Sequence, residues 1–377
     1  MPPQRILFVI PTLGGGGAER VLVGWLEDWK KDPWPMTPAI AFSLKKEGPF
    51  LEDVDPAIPT YELGQDPDAP WDIFLKAWRL ARIYRKFKPD LVVSIIAHAN
   101  IMALLAARLF ARDVPIIICE QTCLSENIFD FYPRLGFALK ALIRWLYPQA
   151  RRIVAISHGV KDDLVQSFGV DQTLIDVVYN AVDPAEIQRL SQEPVEWPVP
   201  DSVPAILGIG RLMNQKGFVH LIRALALVRR DIPAHLVIVG DGPQRKRLEA
   251  EAQRLGLTEV VHFLGFKKNP IKYMRRADVF AFPSLYEGMG VVLLEALAVG
   301  MPVVATCCPH GPYEIIRDGV HGLLVPVGNE AELAQALLRV FGDPELCRRL
   351  GEQARQRVMD FTLDVHRRAY REIFVKS

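Results

Sequence analysis

The chain has 377 residues, of which 50% are hydrophobic and 24% are charged, and its net charge is +1. Because 45 basic residues are balanced by 44 acidic ones, the composition excludes nucleic-acid binding driven by overall charge. The length exceeds one ordinary hydrophobic core and predicts two α/β domains. Five cysteines without the paired spacing of metal ligands indicate a reduced, cytosolic setting.

The first half of the chain alternates apolar runs with helical patterns, which predicts a parallel sheet. Its first strand, 6–10, leads into four glycines, Gly14 to Gly17, and then into a helix. This arrangement brings backbone N–H groups close to a phosphate, and a plain flexible turn is the alternative. The later strands of this half are predicted at 38–44, 89–96, 114–122, 151–157 and 175–183, and its helices at 71–88, 101–113 and 158–169.

Polar side chains follow two of these strands. His98 comes after the strand 89–96, and Asn180 lies at the mouth of the last strand of this half. The carboxyl ends of parallel strands meet at one edge of a sheet, where α/β proteins bind ligands. His98 is therefore a candidate for the chemistry, and a purely structural histidine is the alternative.

Five prolines between 184 and 204 interrupt the alternation and predict a linker at 185–204. This boundary separates an N-terminal Rossmann-like domain, 1–184, from a C-terminal domain, 205–360. Beyond the linker the alternation restarts, with strands predicted at 205–211, 260–266 and 279–283 and helices at 270–277 and 291–299.

Two cations lie at the first strand-to-helix junction of the second half. Arg211 ends the strand 205–211, and Lys216 follows five residues later. Arginine offers a planar fork of donors and lysine a mobile point charge, and together they suit a diphosphate.

Two carboxylates bracket the strand–loop–helix stretch 279–300. Glu287 falls in a glycine-containing loop, and Glu295 falls inside a helix that is otherwise apolar on all sides. A buried carboxylate is costly unless it is paired or hydrogen-bonded. We therefore interpret both as ligand-facing residues, with a core glutamate that bridges to an arginine or to the backbone as the alternative.

Two segments, 71–88 and 128–152, mix aromatic residues with lysine and arginine and contain few acids. This pattern is typical of helices that lie at a membrane surface. A helix packed on the core with solvated basic residues is the alternative.

The ordered set of motifs resembles the retaining glycosyltransferases of family 4. The set comprises Arg211 with Lys216, the Gly-Asp-Gly-Pro turn at 240–243, the Phe-Leu-Gly-Phe strand at 263–266 and the two glutamates. The resemblance implies the GT-B fold, in which two Rossmann-like, doubly wound parallel-sheet domains face each other across a cleft. It also implies that the last helix, 361–377, packs back on the N-terminal domain.

The resemblance assigns roles to individual residues. The catalytic residues would be His98, Arg211, Lys216 and Glu287. The donor-binding residues would be Gly16, Gly17, Arg211, Lys216, Gly240, Phe266, Glu287, Gly288, Met289, Gly290, Val291 and Glu295. The acceptor side would include Gly14, Gly15, Glu120 and Asn180. No metal and no cofactor are expected besides the nucleotide-sugar donor, because fixed cations and helix dipoles stabilise the leaving diphosphate.

The implied function is transfer of a hexose or N-acetylhexosamine from a nucleotide sugar, UDP-linked in our interpretation, to a saccharide or lipid-linked acceptor. The stretch 307–316 is similar to a subgroup that acts in surface-polysaccharide and lipid-linked oligosaccharide assembly. A nucleotide-sugar epimerase of the same fold and a non-catalytic nucleotide-sugar-binding protein are the alternatives. We expect a cytoplasmic protein, and the inner face of the membrane is the candidate location of its activity.

Overall fold

The computed structural model describes residues 5–14, 17–31, 37–64, 72–110, 114–131 and 136–376. The chain divides into two compact units. The first extends to Asn180 and resumes at His366, and the second is Ala181–Val365.

Seven strands form the sheet of the first unit: β1 (Arg5–Ile10), β2 (Thr37–Phe42), β3 (Thr60–Glu62), β4 (Leu91–Ile95), β5 (Ile116–Glu120), β6 (Arg152–Ala155) and β7 (Ile175–Val177). All neighbours pair in parallel, in the order β3-β2-β1-β4-β5-β6-β7. In the register, Phe8 of β1 lies opposite both Ile40 and Val93. The strand order reverses between β1 and β4, and this reversal is where doubly wound sheets bind ligands.

The described residues of this unit before residue 181 form six helices: α1 (Gly17–Lys31), α2 (Asp72–Phe87), α3 (Ala97–Phe110), α4 (Leu124–Phe131), α5 (Gly136–Leu146) and α6 (His158–Phe168). Local signals explain the bounds of α6. The Ser157 side chain accepts a hydrogen bond from the N–H of Val160 at its start, and Gly169 ends it in a left-handed conformation.

The second unit repeats the topology with six strands: β8 (Ala205–Ile209), β9 (His235–Val239), β10 (Val261–Phe263), β11 (Val279–Phe282), β12 (Val303–Thr306) and β13 (Leu323–Val325). They are parallel and follow the order β10-β9-β8-β11-β12-β13, so the reversal falls between β8 and β11. Its helices are α7 (Pro184–Ser191), α8 (Phe218–Val228), α9 (Arg245–Arg254), α10 (Val291–Val299), α11 (Pro312–Ile315), α12 (Glu330–Gly342) and α13 (Pro344–Arg357). Apart from Glu295, the buried residues of α10 are apolar, and α7 and α13 both pack against this helix.

The last helix, α14 (Leu363–Lys376), completes the first unit. Tyr370, Ile373 and Phe374 are buried in the same hydrophobic cluster as the strands β1, β2 and β4. The Tyr370 ring lies 4.5 Å from that of Trp25, and His366 Nδ1 is 2.7 Å from the carbonyl oxygen of Tyr179. Because of these contacts, the residues from His366 onward belong to the first unit, which is otherwise formed by residues 1–180.

The two parallel α/β sheets confirm the predicted fold class. The division between the units differs from the predicted one: it falls at 180/181, and the segment 185–204 is not a bare linker. Helix α7 occupies its first residues, because Asp183 caps the helix through its side chain and Pro184 stands at the first helical position. The remainder of that segment, 192–204, contains neither helix nor strand.

Other elements also differ from the prediction. The edge strand β3, which has three residues, was not predicted. The strand predicted at 175–183 is formed only over Ile175–Val177, although Val182 makes an isolated parallel bridge to Thr362. The helix predicted at 270–277 is a 3₁₀ turn, Ile271–Tyr273. Residues 97–100, which lie between the predicted strand 89–96 and the predicted helix 101–113, form the first turn of α3.

Candidate functional site

A buried ion pair joins the two loops that flank the strand reversal of the second sheet. Lys216 closes a 3₁₀ turn after β8, and Glu287 lies in the loop after β11. Lys216 Nζ is 2.6 Å from Glu287 Oε1, and the Ser284 hydroxyl donates to the same oxygen at 2.7 Å. The Glu287 side chain is 6% exposed and that of Lys216 is 21% exposed. The structure thus brings together two of the four predicted reaction residues, which are 71 positions apart.

Close backbone packing holds these loops together. Gly217 has φ +61°, and a Cβ atom at this position would lie 2.1 Å from the carbonyl oxygen of Pro283. The N–H of Leu285 donates to the carbonyl oxygen of Gln215 at 2.8 Å. Only glycine combines this conformation with this approach, so the position of Lys216 depends on its neighbour.

Arg211, the other predicted cation, lies two residues after β8. It is exposed and makes no ion pair with any residue in the described part of the chain. Its guanidinium is therefore available to an anionic ligand, unlike the ammonium of Lys216, which already has a carboxylate partner.

The loops after β8, β9 and β10 meet at the same edge. Gly240 has φ +142°, and a Cβ there would lie 2.0 Å from the carbonyl oxygen of Gly210. Its N–H donates to the carbonyl oxygen of Gly265 at 2.9 Å. The adjacent Phe266 ring is 55% exposed, so the edge presents an aromatic face next to a narrow backbone turn.

The predicted donor loop 288–290 leads into α10. Gly290 has φ +87° and no side chain caps the helix start, so Val291 and the next residues begin α10 with uncapped N–H groups. The Met289 side chain is buried, and Gly311 packs directly against its backbone. Glu295 lies on the second turn of α10 and is 3% exposed.

In the first unit, His98 occupies the first turn of α3 beside the strand reversal. His98 Nδ1 is 3.1 Å from the hydroxyl oxygen of Ser43, which follows β2. Ile96, between β4 and α3, has φ +78°, a strained conformation for a β-branched residue. Burial and, to a smaller extent, the charge of Lys76 lower the pKa of His98 to about 4, and the charge of Asp72 opposes this shift.

Lys76 and Asp72 form a second buried ion pair at this edge, with Nζ 2.6 Å from the carboxylate oxygen. The Lys76 side chain is 3% exposed. Sequence reasoning missed this pair, because the spacing i,i+4 on an amphipathic helix is common at protein surfaces.

The predicted acceptor-side residues have different surroundings. Glu120 is completely buried at the end of β5, where Asn100 Nδ2 donates to it at 2.6 Å and the Tyr147 hydroxyl also donates to it. Burial raises the pKa of Glu120 to about 7, although both hydrogen bonds oppose the shift. Asn180 is buried and donates to the side chain of Gln121.

The glycine run is described in part. Gly14 is exposed and its N–H donates to the Thr12 hydroxyl, and Gly17 begins α1. Gly15 and Gly16 lie outside the described residues.

Comparisons with known proteins match almost the whole chain. The family model described as Glycosyltransferase Family 4 matches residues 15–186, and the one described as Glycosyl transferases group 1 matches residues 191–357. The chain is 32% identical over 372 residues to the N-acetylgalactosamine-N,N'-diacetylbacillosaminyl-diphospho-undecaprenol 4-alpha-N-acetylgalactosaminyltransferase of Campylobacter jejuni, covering 95% of this chain and 96% of the relative. The chain belongs to glycosyltransferase family 4.

Two further proteins extend the comparison of this family 4 glycosyltransferase. N-acetyl-alpha-D-glucosaminyl L-malate synthase of Bacillus anthracis is 26% identical over 93% of this chain and 90% of the relative. The crystal structure of HepE from Anabaena in complex with UDP and glucose superposes with a TM-score of 0.81 at 22% identity, covering 99% of this chain and 100% of HepE. The predicted family and the GT-B fold are thereby confirmed. The roles of the individual site residues stay predictions.

A cavity of about 540 Å³ in this glycosyltransferase lies away from both edges. It is lined by Leu104 and Arg108 of α3, Trp145 of α5 and Ile116, the first residue of β5. The predicted site residues instead follow the carboxyl ends of strands, so this cavity is not the candidate donor site. Within the described chain no helix is long and apolar enough to cross a bilayer.

Proposed function

We propose that this glycosyltransferase is a retaining, metal-independent enzyme. In this proposal it transfers a hexose or N-acetylhexosamine from a UDP-linked sugar to a lipid-linked saccharide acceptor. The observation that carries the proposal is the Lys216–Glu287 pair at the strand reversal of the second sheet. Two cations on the loop after β8 suit a diphosphate at that position, and a carboxylate on the adjacent loop suits sugar hydroxyls.

The chemistry follows from where charge develops. Cleavage of the bond between sugar and diphosphate leaves negative charge on the diphosphate, which Arg211 and Lys216 stabilise together with the uncapped N–H groups at the start of α10. Glu287 keeps Lys216 in one position before the donor arrives, so the enzyme does not have to order a flexible side chain during the reaction. Glu295 binds the ribose, and Phe266 offers its exposed face to the base.

The substrate assignment draws on the relatives. The Campylobacter relative is named for transfer of N-acetylgalactosamine to a saccharide on diphospho-undecaprenol, with formation of an α linkage. HepE crystallised with UDP and glucose. Retention of configuration would yield an α linkage from an α-linked nucleotide sugar, which agrees with the relative's name.

A donor-hydrolysis screen over UDP- and GDP-linked sugars tests the donor, and NMR of the product anomer tests retention. We expect turnover with UDP-hexoses or UDP-N-acetylhexosamines, an α product and no loss of rate in EDTA. Inverted product or loss of activity in EDTA would contradict the proposed mechanism. Release of an epimerised free sugar would favour the epimerase alternative, and donor binding without turnover on any acceptor would favour the non-catalytic one.

We further propose that the first unit binds an anionic membrane surface. In its described part, the large hydrophobic side chains that are exposed all lie on α2, α3 and α5: Phe74, Leu75, Trp78, Leu109, Phe137 and Trp145. Helix α3 packs against both α2 and α5, so the three helices share one side of the sheet. Arg82 lies 5.0 Å from the Trp78 ring centroid and Arg108 6.0 Å from that of Trp145. Aromatic rings next to exposed cations are typical of interfacial helices.

Co-sedimentation with vesicles of anionic and of neutral phospholipid tests this surface. We expect binding to anionic vesicles that weakens as salt is raised, and a severalfold loss of binding in Trp78→Ser. Tyr313→Ser is the matched control, because Tyr313 is 46% exposed in the second unit. An equal loss in both variants, or no binding at low salt, would contradict the proposal.

A further inference from the structure

The buried serine next to His98 has one hydrogen-bond partner. Ser43 is completely buried at the carboxyl end of β2, and its hydroxyl oxygen lies 3.1 Å from His98 Nδ1. In the part of the chain that the structure describes, this ring nitrogen is the only partner of the Ser43 hydroxyl. A buried hydroxyl proton without an acceptor costs free energy, so the hydroxyl donates to Nδ1.

This direction of the hydrogen bond determines the tautomer of the ring. A nitrogen that accepts a hydrogen bond carries no proton in the neutral imidazole, so the proton of His98 resides on Nε2. The ring is neutral because burial and the nearby Lys76 lower its pKa to about 4, and Asp72 of the same helix is the opposing charge. Nε2 has no partner among the described residues, and His98 is only partly buried, which leaves the Nε2–H for a ligand.

The backbone around His98 is fixed as well. Ile96 holds its left-handed conformation, and Asn100, two residues after His98, donates from Nδ2 to the carbonyl oxygen of Cys119 at 3.1 Å. Contacts with β2 and with β5 therefore restrain the first turn of α3 from two directions.

We propose that Ser43 is a positioning residue that holds His98 in the Nε2–H tautomer, so that His98 offers a hydrogen-bond donor to an oxygen atom of the ligand bound at this edge of the first sheet. In this role His98 is neither a general base nor a cation. The inference rests on the proposed function only for the identity of the ligand. The tautomer and its dependence on Ser43 belong to the protein alone.

The first test is NMR of the protein with ¹⁵N-labelled histidine. The signals of His98 are assigned from a His98→Asn variant, since the chain has eight histidines. We expect an Nδ1 shift typical of an unprotonated nitrogen and an Nε2 shift typical of an N–H, without titration near neutral pH. In Ser43→Ala we expect the two shifts to approach each other, as the tautomers mix, and Ser43→Thr should restore the wild-type pattern. An Nδ1–H or imidazolium pattern in the wild type, or no change in Ser43→Ala, would overturn the proposal.

The second test is kinetic. Ser43→Ala should lower kcat by about threefold to tenfold, the effect of one hydrogen bond, with KM for the donor nearly unchanged. Ser94→Ala is the matched control, because Ser94 is another completely buried serine in the same sheet, and its hydroxyl has no partner in the described chain. It should leave both spectrum and rate unchanged, and an equal loss of rate in Ser94→Ala would overturn the kinetic claim. A wild-type rate in His98→Asn would overturn the role of His98 in transfer, and the spectra would still decide the tautomer independently.

Discussion

Removing Lys216 should destabilise the second unit, because it leaves a buried carboxylate without its ammonium. Glu287 is 6% exposed and Lys216 is 21% exposed, so the pair lies between a surface ion pair and a fully buried one. Breaking a fully buried pair costs about 3–5 kcal/mol, whereas an exposed pair contributes about 1 kcal/mol or less. For Lys216→Met we therefore expect a loss of about 2–3 kcal/mol in the free energy of unfolding.

A double-mutant cycle separates the pair from other effects of each substitution. Glu287→Gln should cost less than Lys216→Met, since the amide retains the shape of the carboxylate and leaves a lysine that is partly exposed to water. The double variant should be more stable than the sum of the two losses implies, with a coupling free energy of about 1–2 kcal/mol.

The assay must report the second unit separately, because a protein of two units need not unfold in one step. Trp197 is the only tryptophan between 181 and 365, so fluorine-labelled tryptophan gives one signal for this unit in urea titrations followed by ¹⁹F NMR. We expect the Trp197 midpoint of Lys216→Met to fall by about 1 M urea. An unchanged midpoint together with a coupling free energy near zero would show instead that the Lys216–Glu287 pair does not stabilise the second unit.

The remaining predictions concern single residues at the two edges. Arg211→Ala should lower kcat by about 100-fold or more without a change in the unfolding midpoint, because this exposed residue has no ion pair to lose, and a midpoint shift would contradict that account. Gly217→Ala should cost more than about 2 kcal/mol, since it combines a positive φ with a Cβ 2.1 Å from a carbonyl oxygen, and urea unfolding measures it. The folded-state pKa of Glu120, about 7, exceeds its unfolded value of 4.5, so the folded protein holds this proton more tightly and its contribution to stability is lost as pH rises from 4.5 to 7. The stability of the wild type relative to Glu120→Gln should therefore fall by about 3 kcal/mol over that range, and a constant difference would contradict the raised pKa.

Most of the fold could be predicted because buried parallel strands appear in the amino-acid sequence as short runs of apolar residues. β1, β4, β5 and β11 are all of this kind, and each is bounded by a turn residue or a helix start. The edge strand β3 was missed because it pairs on one side only and its three residues include Thr60 and Glu62, neither of which is apolar. The alternation of strands and helices restricted the topology further, because crossovers between parallel strands are right-handed.

The candidate site was predictable only as a set of residues at strand ends. Arg211, Lys216 and Glu287 follow strands of the second sheet and His98 follows a strand of the first, and the rule that ligands bind at the carboxyl edge of a sheet predicts a ligand-facing position for each of them. The partners of these residues were not predictable. Whether Lys76 is buried, or whether Ser43 contacts His98, depends on how α2 and α3 pack against the sheet, and no spacing along the chain encodes that contact.

The path of the chain also bears on the order in which the protein is made. The second unit is one continuous segment, whereas the hydrophobic core of the first unit includes Tyr370, Ile373 and Phe374 from the opposite end of the chain. During translation the first 180 residues leave the ribosome early but lack this helix until residues 363–376 have been synthesised. The second unit, although synthesised later, has all of its residues before the first does. A chain released after residue 365 would therefore contain the complete second unit but an N-terminal segment whose apolar surface is still open to chaperones.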